Sequence, residues 1–497
     1  MDKDNSLLPR FSRRLLEKTK TFPTAMTESG IDVVMADPDD LAAIERLAFA
    51  TDCAITPIKE DARRIETMLA EQSPQGNDSD NIFATLTEEL RKSKINETTL
   101  ATTDELKKSG QAEPVVKMVD IIIDEAIKNE ASDIHIEPNE EKVVVRNRID
   151  GLLRKTAELP GWMNAPITSR IKILSDLDIA EKRLPQDGRI KRRMEGVDID
   201  LRVSTLPTHF GEKTVIRILR HTADLFSLET LGFEPAEIAA INDIIHKPQG
   251  IIFVTGPTGS GKSSSLFAFL NRIKDKDINI TTIENPIEIK LSGINQVQVN
   301  EKAGLTFAST LRSILRQDPD VILIGEIRDK ETAEIAVRAA QTGHLVFSTL
   351  HTNDAASAII RLRDLGIEPF LIASSIITVM AQRLVRRLCS HCKVAYVATD
   401  DIAFKFKHLY GEVAVPPSYI AKGCPRCSGT GYDGRVGIFE FLNLGPEVRQ
   451  MIIENKGDLE IKTAAVEAGM RPLVLSGLEK LKQGTTSLEE LLRVVSA

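Results

Sequence analysis

Residues 250–270 read GIIFVTGPTGSGKSSSLFAFL, and this stretch decides the fold. The run Ile251 to Val254 is short and wholly apolar, which reads as a buried strand. The stretch SSLFAFLNRI that closes the motif carries apolar residues at helical spacing. Between them Gly256, Pro257, Thr258, Gly259, Ser260, Gly261, Lys262 and Ser263 match G-x-x-x-x-G-K-[ST], with Ser264 following. A strand before and a helix after are the context that this phosphate-binding loop requires. Glycines at 256, 259 and 261 let backbone N–H groups face a phosphate with no Cβ in the way. Lys262 is placed to reach β and γ phosphates, and the Ser263 hydroxyl to ligate Mg2+, so ATP with Mg2+ is the expected ligand.

Downstream, INITTIE (278–284), VILIGEI (321–327) and LVFSTLH (345–351) are further strand-like runs separated by helical stretches. That alternation predicts an α/β fold with a doubly wound, largely parallel sheet. VILIGE ends in Glu326, where an acid can hold Mg2+ through water or position the attacking water. Common Walker B strands carry Asp where this chain has Gly325. ITTIENPIE offers Glu284 and Glu288 as a further pair. A general base must be a carboxylate near the γ phosphate, and the sequence leaves open which of these it is. The apolar stretch from Phe370 to Ala381 is far below the roughly 20 residues of a membrane span, and we read it as a core helix.

Upstream, IDVVMA (31–36) reads as a strand, and a helical pattern follows from Asp39, with Asp37, Pro38 and Asp39 as turn and cap. Residues 73–112 are polar and read as a linker, with some helix in it as the alternative. VVKMVDIIIDEAIKN then places Val115, Met118, Val119, Ile122, Ile123 and Ile127 on one helical face. DIHIEP, KVVVRNRIDG, VDIDLRVSTLP and KTVIRIL are strands, the second closing on an Asp150–Gly151 hairpin turn. The chain has 497 residues, 64 Lys plus Arg and 72 Asp plus Glu; a net charge of −8 argues against a nucleic-acid coat. MDKDNSLLPRFSRR lacks a signal-peptide apolar region, and five cysteines are too few for an extracellular disulfide framework, so a reducing, cytoplasmic location is expected.

Cys389 and Cys392 form one C-x-x-C and Cys424 and Cys427 another. Each pair suits a turn whose two thiolates face one tetrahedral ion, so structural Zn2+ is expected, with free thiols as the alternative. The leftover Cys53 reads as a buried apolar thiol.

Taken together the motifs ASDIHIEP (131–138), RIDG (148–151), LPQDGRI (184–190), DLRVSTLPT (200–208), GEKTVIRIL (211–219), the phosphate loop, RQDPDVILIGEIRD (316–329) and TGHLVFSTLHTND (342–354) resemble the ATPases of bacterial type II secretion and type IV pilus assembly. The resemblance implies a RecA-like P-loop ATPase core preceded by a smaller α/β domain, working as a homohexamer. It implies ATP hydrolysis that drives pilin or pseudopilin addition through an inner-membrane platform protein and associated cytoplasmic assembly proteins. It also implies that the chain is cytoplasmic and peripheral at the inner membrane through partners. In that family a Gly precedes the Walker B glutamate, as at Gly325 and Glu326; the box usually read TIEDP is TIENP here, with Asn285 for Asp. The resemblance assigns Glu288, and with less support Glu284, as the water-activating base. It gives His344 and His351 to a nucleotide-sensing box, and Arg202 and Arg217, with Arg189 as a third, to arginine fingers from the smaller domain. The tetracysteine module belongs to the extending members. The expected division is 1–72, a truncated partner-binding domain; 73–112, linker; 113–232, small α/β domain; 233–388, ATPase core; 389–430, zinc module; 431–497, a helical end. The basic stretch from Arg10 to Lys20 reads as a solvated helix, with an acidic platform segment as the alternative contact. Two rival classes stand beside this reading: a nucleic-acid motor on the same core, and an ATP-binding scaffold without catalysis, motivated by Asn285.

Overall fold

The computed structural model describes residues 16–495 apart from 17–18, 28–29, 52, 62–63, 66–67, 69–77, 93–102, 195, 221–226, 276, 398–405 and 407–415. Most of the basic stretch that begins at Arg10 lies outside the described residues. The chain divides into two units, 1–221 and 222–497.

The first unit opens with β1 (Thr21–Thr27), β2 (Gly30–Met35), helix α1 (Leu41–Thr51) and β3 (Ile55–Lys59). β1 runs antiparallel and β3 parallel to β2, with α1 as the crossover. The cap of α1 is Asp40, whose Oδ1 accepts from the Ala43 N–H at 3.0 Å, one residue beyond the expected Asp39. Cys53 is half-buried beside Leu16, Ile31, Val33 and Leu47, so it is less enclosed than expected.

The stretch expected to be a linker contains α2 (Asp78–Lys92) and α3 (Thr103–Gly110). Phe83, Leu86 and Leu90 of α2 are buried in one cluster with Val115, Met118, Ile122 and Ile123 of the next helix, α4 (Glu113–Lys128). Burying such side chains stabilises by about 1.5–3 kcal/mol each, so α2 is part of the core. Its exposed residues are mostly polar, Ile82 apart, which is why composition alone reads the stretch as a linker.

α4 and α5 (Asn164–Leu174) accompany six antiparallel strands: β4 (Asp133–Pro138), β5 (Lys142–Ile149), β6 (Leu152–Pro160), β7 (Gln186–Met194), β8 (Val197–Thr208) and β9 (Gly211–Arg220), in the order β6-β5-β4-β9-β8-β7. Alternate residues Ile134, Ile136, Val143, Val145, Leu201, Val203 and Ile216 fill the core with α4, which leaves a mostly polar opposite face on the sheet. Asp150 and Gly151 have φ of 50° and 84°, the left-handed pair that a two-residue hairpin turn needs.

After a single helical turn at Leu228–Leu231, the second unit carries α6 (Pro235–Ile245) and is built on a seven-stranded sheet in the order β12-β11-β13-β14-β10-β15-β18. Its strands are β10 (Gly250–Thr255), β11 (Ile280–Glu284), β12 (Asn295–Gln298), β13 (Val321–Ile324), β14 (Leu345–Leu350), β15 (Ile376–Leu388) and β18 (Tyr432–Asn443). All neighbours are parallel except β15 and β18. β10 is buried on both faces. Ile251 and Phe253 enter the core formed with α9 (Lys330–Gln341) and α10 (Ala355–Asp364). Ile252 and Val254 enter the core formed with α6 and α7 (Lys262–Ile273). An uninterrupted apolar strand is what two covered faces demand. α8 (Phe307–Ile314) links β12 to β13.

Two expectations are corrected here. Residues 370–381 are not one helix: α11 (Pro369–Ser375) ends and β15 begins at Ile376, wedged between β10 and β18. The β-branched run Ile376, Ile377, Thr378, Val379 favours the strand, and a stretch this rich in apolar residues carries no clear period to separate the two. The C-terminal part is not wholly helical either, because β18 occupies Tyr432–Asn443 before α12 (Pro446–Ile453), α13 (Asp458–Glu467), α14 (Leu473–Lys482) and α15 (Leu488–Val495). The cysteine module interrupts the β15–β18 hairpin and carries its own pair of antiparallel strands, β16 (Lys393–Tyr396) and β17 (Ser418–Ala421).

Candidate functional site

The phosphate loop leaves β10 at Thr255, whose hydroxyl lies 2.7 Å from the Thr352 hydroxyl and donates to Leu350 O at 3.1 Å. The end of β10 is thereby tied to the end of β14. Gly256 has φ of 150°, and a Cβ there would sit 2.5 Å from Gln382 O and 2.6 Å from Ser260 Oγ. Gly261 has φ of 88°, and its Cβ would meet Gln382 Nε2 at 2.8 Å. Only glycine fits at either position. Gln382 is the floor of the loop: it is buried, and its Oε1 accepts from Ser265 Oγ of α7 at 2.8 Å. Pro257, Thr258 and Gly259 form the exposed tip, Ser260 is buried, and Ser263 and Ser264 at the start of α7 are half-buried.

Lys262 is 9% exposed, and its Nζ donates to the carbonyls of Gly256 and Pro257 at 2.8 and 3.1 Å. Burial pulls its pKa down to about 8; Glu326 opposes that shift, Arg383 adds to it, and Glu288 opposes it. The loop thus holds a partly desolvated ammonium where a polyanion would neutralise it.

Glu326 lies two residues past β13, its side chain 15% exposed, held by Arg328 Nε at 2.6 Å with His351 Nε2 at 3.7 Å. Gly325 is fixed by its N–H to Ile283 O at 2.8 Å and by Thr349 Oγ1 donating to its carbonyl at 2.6 Å. Burial pushes the His351 pKa down, and the nearby Lys262 does the same, so this ring favours the neutral form. Glu284, the last residue of β11, is 5% exposed and accepts from Thr282 Oγ1 at 2.7 Å and Gln296 Nε2 at 3.0 Å. Burial pushes its carboxyl pKa up. Glu288 is half-buried beyond it, near enough to Lys262 for its charge to act on that ammonium. The exposed Asn285 separates the two.

The structure therefore gathers Lys262, Glu288, Glu326 and His351 at the carboxyl edge of the parallel sheet, the usual ligand crevice of such folds. His344 does not join them. It precedes β14 at the amino edge, where its Nδ1 lies 2.9 Å from Ala339 O and its carbonyl accepts from Gly250 N–H at 3.1 Å. A whole strand, about 20 Å at 3.3 Å per residue, separates it from His351.

In the first unit Arg189, Arg202 and Arg217 are directly opposed across β7, β8 and β9, and the row continues into Asp133 of β4 and Arg148 of β5. Directly opposed residues share a face, so this row lies on the polar side of the sheet. Arg189 and Arg217 are exposed and Arg202 is half-buried. Asp133 accepts from Arg217 Nε at 3.1 Å and faces Arg148 Nε at 3.5 Å, so one carboxylate serves two guanidinium groups.

The sulfurs of Cys389, Cys392, Cys424 and Cys427 all lie within 4.8 Å of one another. The pairs 389–424, 392–427 and 424–427 are 3.9, 3.8 and 3.7 Å apart. A tetrahedral ion with bonds of about 2.3 Å requires sulfur edges of about 3.8 Å, so the cluster fits such an ion. Burial opposes ionisation of Cys427, yet the backbone N–H groups of Cys424 and Gly431 bring it down to about 7. Burial and the neighbouring sulfurs push Cys392 up to about 12. Four thiolates this close need a cation to coexist.

A doubly wound sheet with a phosphate loop after a central strand and acids at the carboxyl ends of β11 and β13 defines a RecA-like P-loop ATPase. The chain belongs to the type II/IV secretion system protein family, whose model matches residues 108–493, and an MshEN domain model matches residues 1–73. It is 42% identical to the type IV pilus assembly ATPase PilB of Acinetobacter baylyi over 99% of this chain and 84% of the relative. It is 50% identical to the type II secretion system protein HxcR of Pseudomonas aeruginosa over 77% of each chain. The crystal structure of the pilus retraction motor PilT with bound ADP superposes with a TM-score of 0.52, at 27% identity, over 75% of this chain and 95% of that one. No helix among the described residues is long and apolar enough to cross a membrane.

The sequence named the loop, the acids and the cysteines as candidates, and did not single out Gln382, Arg383, Thr255, Thr352 and Arg328. The first two lie on a strand about 120 residues after the loop, and nothing in the motif announces them.

Proposed function

We propose that this chain is a hexameric motor that couples ATP hydrolysis to pilin or pseudopilin addition, in type IV pilus assembly or type II secretion. The observation that carries the reading is the convergence of Lys262, Glu326, Glu288 and His351 at one sheet edge. Lys262 with the loop amides receives the β and γ phosphates, and Ser263 with Glu326 receives Mg2+. Glu288 takes a proton from the water that attacks the γ phosphorus; the bond to the ADP oxygen breaks and phosphate leaves. Arg202 and Arg217, with Arg189, stabilise the transferring charge from the small domain of another subunit. Zn2+ in the four cysteines fastens the far end of the β15–β18 hairpin and takes no part in hydrolysis. The domain division follows the same reading, with 78–110 assigned to the small domain and 227–232 to the ATPase core, where Leu228 packs. The chain reaches the inner membrane from the cytoplasm through its partners, an inner-membrane platform protein and cytoplasmic assembly proteins. Purified wild-type chain is expected to release phosphate from Mg·ATP, and Glu326→Gln to lose at least about 100-fold in turnover while still binding ATP. A Glu326→Gln chain with wild-type turnover would refute the site.

A further inference from the structure

Arg383 follows Gln382 on β15 and points to the other side of the strand from it. Gln382 meets Ser265 of α7, whereas the Arg383 Nη2 donates to Asn353 O at 2.9 Å and Asn353 Oδ1 at 3.3 Å. Nη1 reaches the Gln382 carbonyl at 3.5 Å. Arg383 as a whole is 7% exposed. All three acceptors are neutral. Two carboxylates lie near enough for their charge to act on it, Asp354 and Glu440, and both are engaged elsewhere. Asp354 accepts from Lys462 Nζ at 2.8 Å and from the Ser357 N–H at 2.8 Å. Glu440 accepts from the N–H groups of Ala355 at 3.1 Å and Leu473 at 3.2 Å. Among the described residues, then, this buried guanidinium has hydrogen bonds to carbonyls and none to an anion. A desolvated cation in that state is costly and gains strongly from an anionic ligand.

Its surroundings say where an anion would enter. Asn353 follows Thr352, the residue tied to Thr255 at the root of the phosphate loop. The carbonyl that Nη1 approaches is the one a Cβ at Gly256 would strike, so Arg383 shares its backbone with the floor of that loop. Arg383 lies near enough to Lys262 for its charge to act on that ammonium. We propose that Arg383 is a nucleotide ligand supplied by the same chain, donating to a phosphate oxygen of the nucleotide held by the loop at residues 256–263. This rests on the phosphate-loop reading given above. It differs from the arginines of the small domain, which would act from another subunit.

The test is ADP binding to the full chain, read by fluorescence titration with a fluorescently labelled ADP and by the rise in melting temperature that ADP produces. A charge-assisted hydrogen bond of this kind corresponds to a change of roughly 10- to 100-fold in affinity. Arg383→Gln is expected to weaken ADP binding by that factor and to shrink the ADP-induced rise. Arg383→Lys keeps the charge without the fork and is expected to fall between Gln and wild type. Wild-type affinity in Arg383→Gln overturns the proposal. So does a lower melting temperature with an unchanged ADP-induced rise, because that is the mark of a strut for the Asn353 turn. If Arg383→Gln does not fold, Arg383→Lys is read by the same two measures, and unchanged affinity there overturns the proposal as well. Lys262→Ala is the control. Undiminished ADP binding in that variant sinks the phosphate-loop reading itself, while its loss beside an unaffected Arg383→Gln sinks the proposal alone.

Discussion

At the scale of the residue, Lys262 and the two glutamates of the Asn285 box make separable predictions. The Lys262 pKa is down to about 8 in the free chain, chiefly by burial, and a bound polyphosphate favours the charged form and raises it. Above pH 8 the lysine must therefore take up a proton in order to bind. ATP affinity is expected to be level near pH 7.5 and to fall above pH 8, with a limiting slope of about tenfold per pH unit. Titration calorimetry at pH 7.5 to 9.5 reads both the affinity and the proton. Lys262→Arg stays charged throughout and is expected to remove the slope, whereas an undiminished wild-type affinity at pH 9.5 contradicts the account. The carboxylates divide by burial. Glu284 is already occupied by Thr282 and Gln296, contacts that the oxygen of an amide can still accept. Glu284→Gln is expected to stay within a few-fold of wild-type turnover, and Glu288→Gln to lose about 100-fold or more, as removal of a general base does. The reverse order in a phosphate-release assay would hand the base to Glu284.

At the scale of the element, the cysteine module and β15 show what a sequence discloses. Two C-x-x-C turns announce a tetrahedral site because four thiolates leave little else to do, although the insert between them is long. One Zn2+ per chain is expected by elemental analysis. It should be absent from the Cys389→Ser, Cys424→Ser double variant, whose amides in β16 and β17 should exchange faster, since ion binding contributes to the folding of such modules. Metal-free wild-type protein with a fully protected hairpin would remove zinc from the account. The phosphate loop was legible for a similar reason: each of its residue types is dictated by close backbone approach to an anion. β15 was not legible, because an apolar run between two other strands has no polar face to set a period. α2 was hidden by its polar surface, and His344 could not be placed because adjacency in a motif does not show which end of a strand a residue occupies. The row of Arg189, Arg202 and Arg217 was legible only as three separate arginines. Strand register makes it a row, and register depends on residues far apart in sequence.

At the scale of the whole molecule, the central claim is that ATP turnover needs two chains: the phosphate loop of one, and Arg202 of another. Lys262→Ala chains carry intact arginines and Arg202→Ala chains carry intact loops. Each alone is expected to be nearly inactive, since an arginine supplied in trans is worth about 10³- to 10⁵-fold in well-studied GTPases. The decisive measurement is phosphate release from rings assembled by mixing the two variants, with mixed composition confirmed by mass. The account predicts that activity returns, at sites where an intact loop meets a neighbour's intact Arg202. Mixed rings as inactive as their parents would contradict it, and would move Arg202 from the reaction to the support of its own sheet.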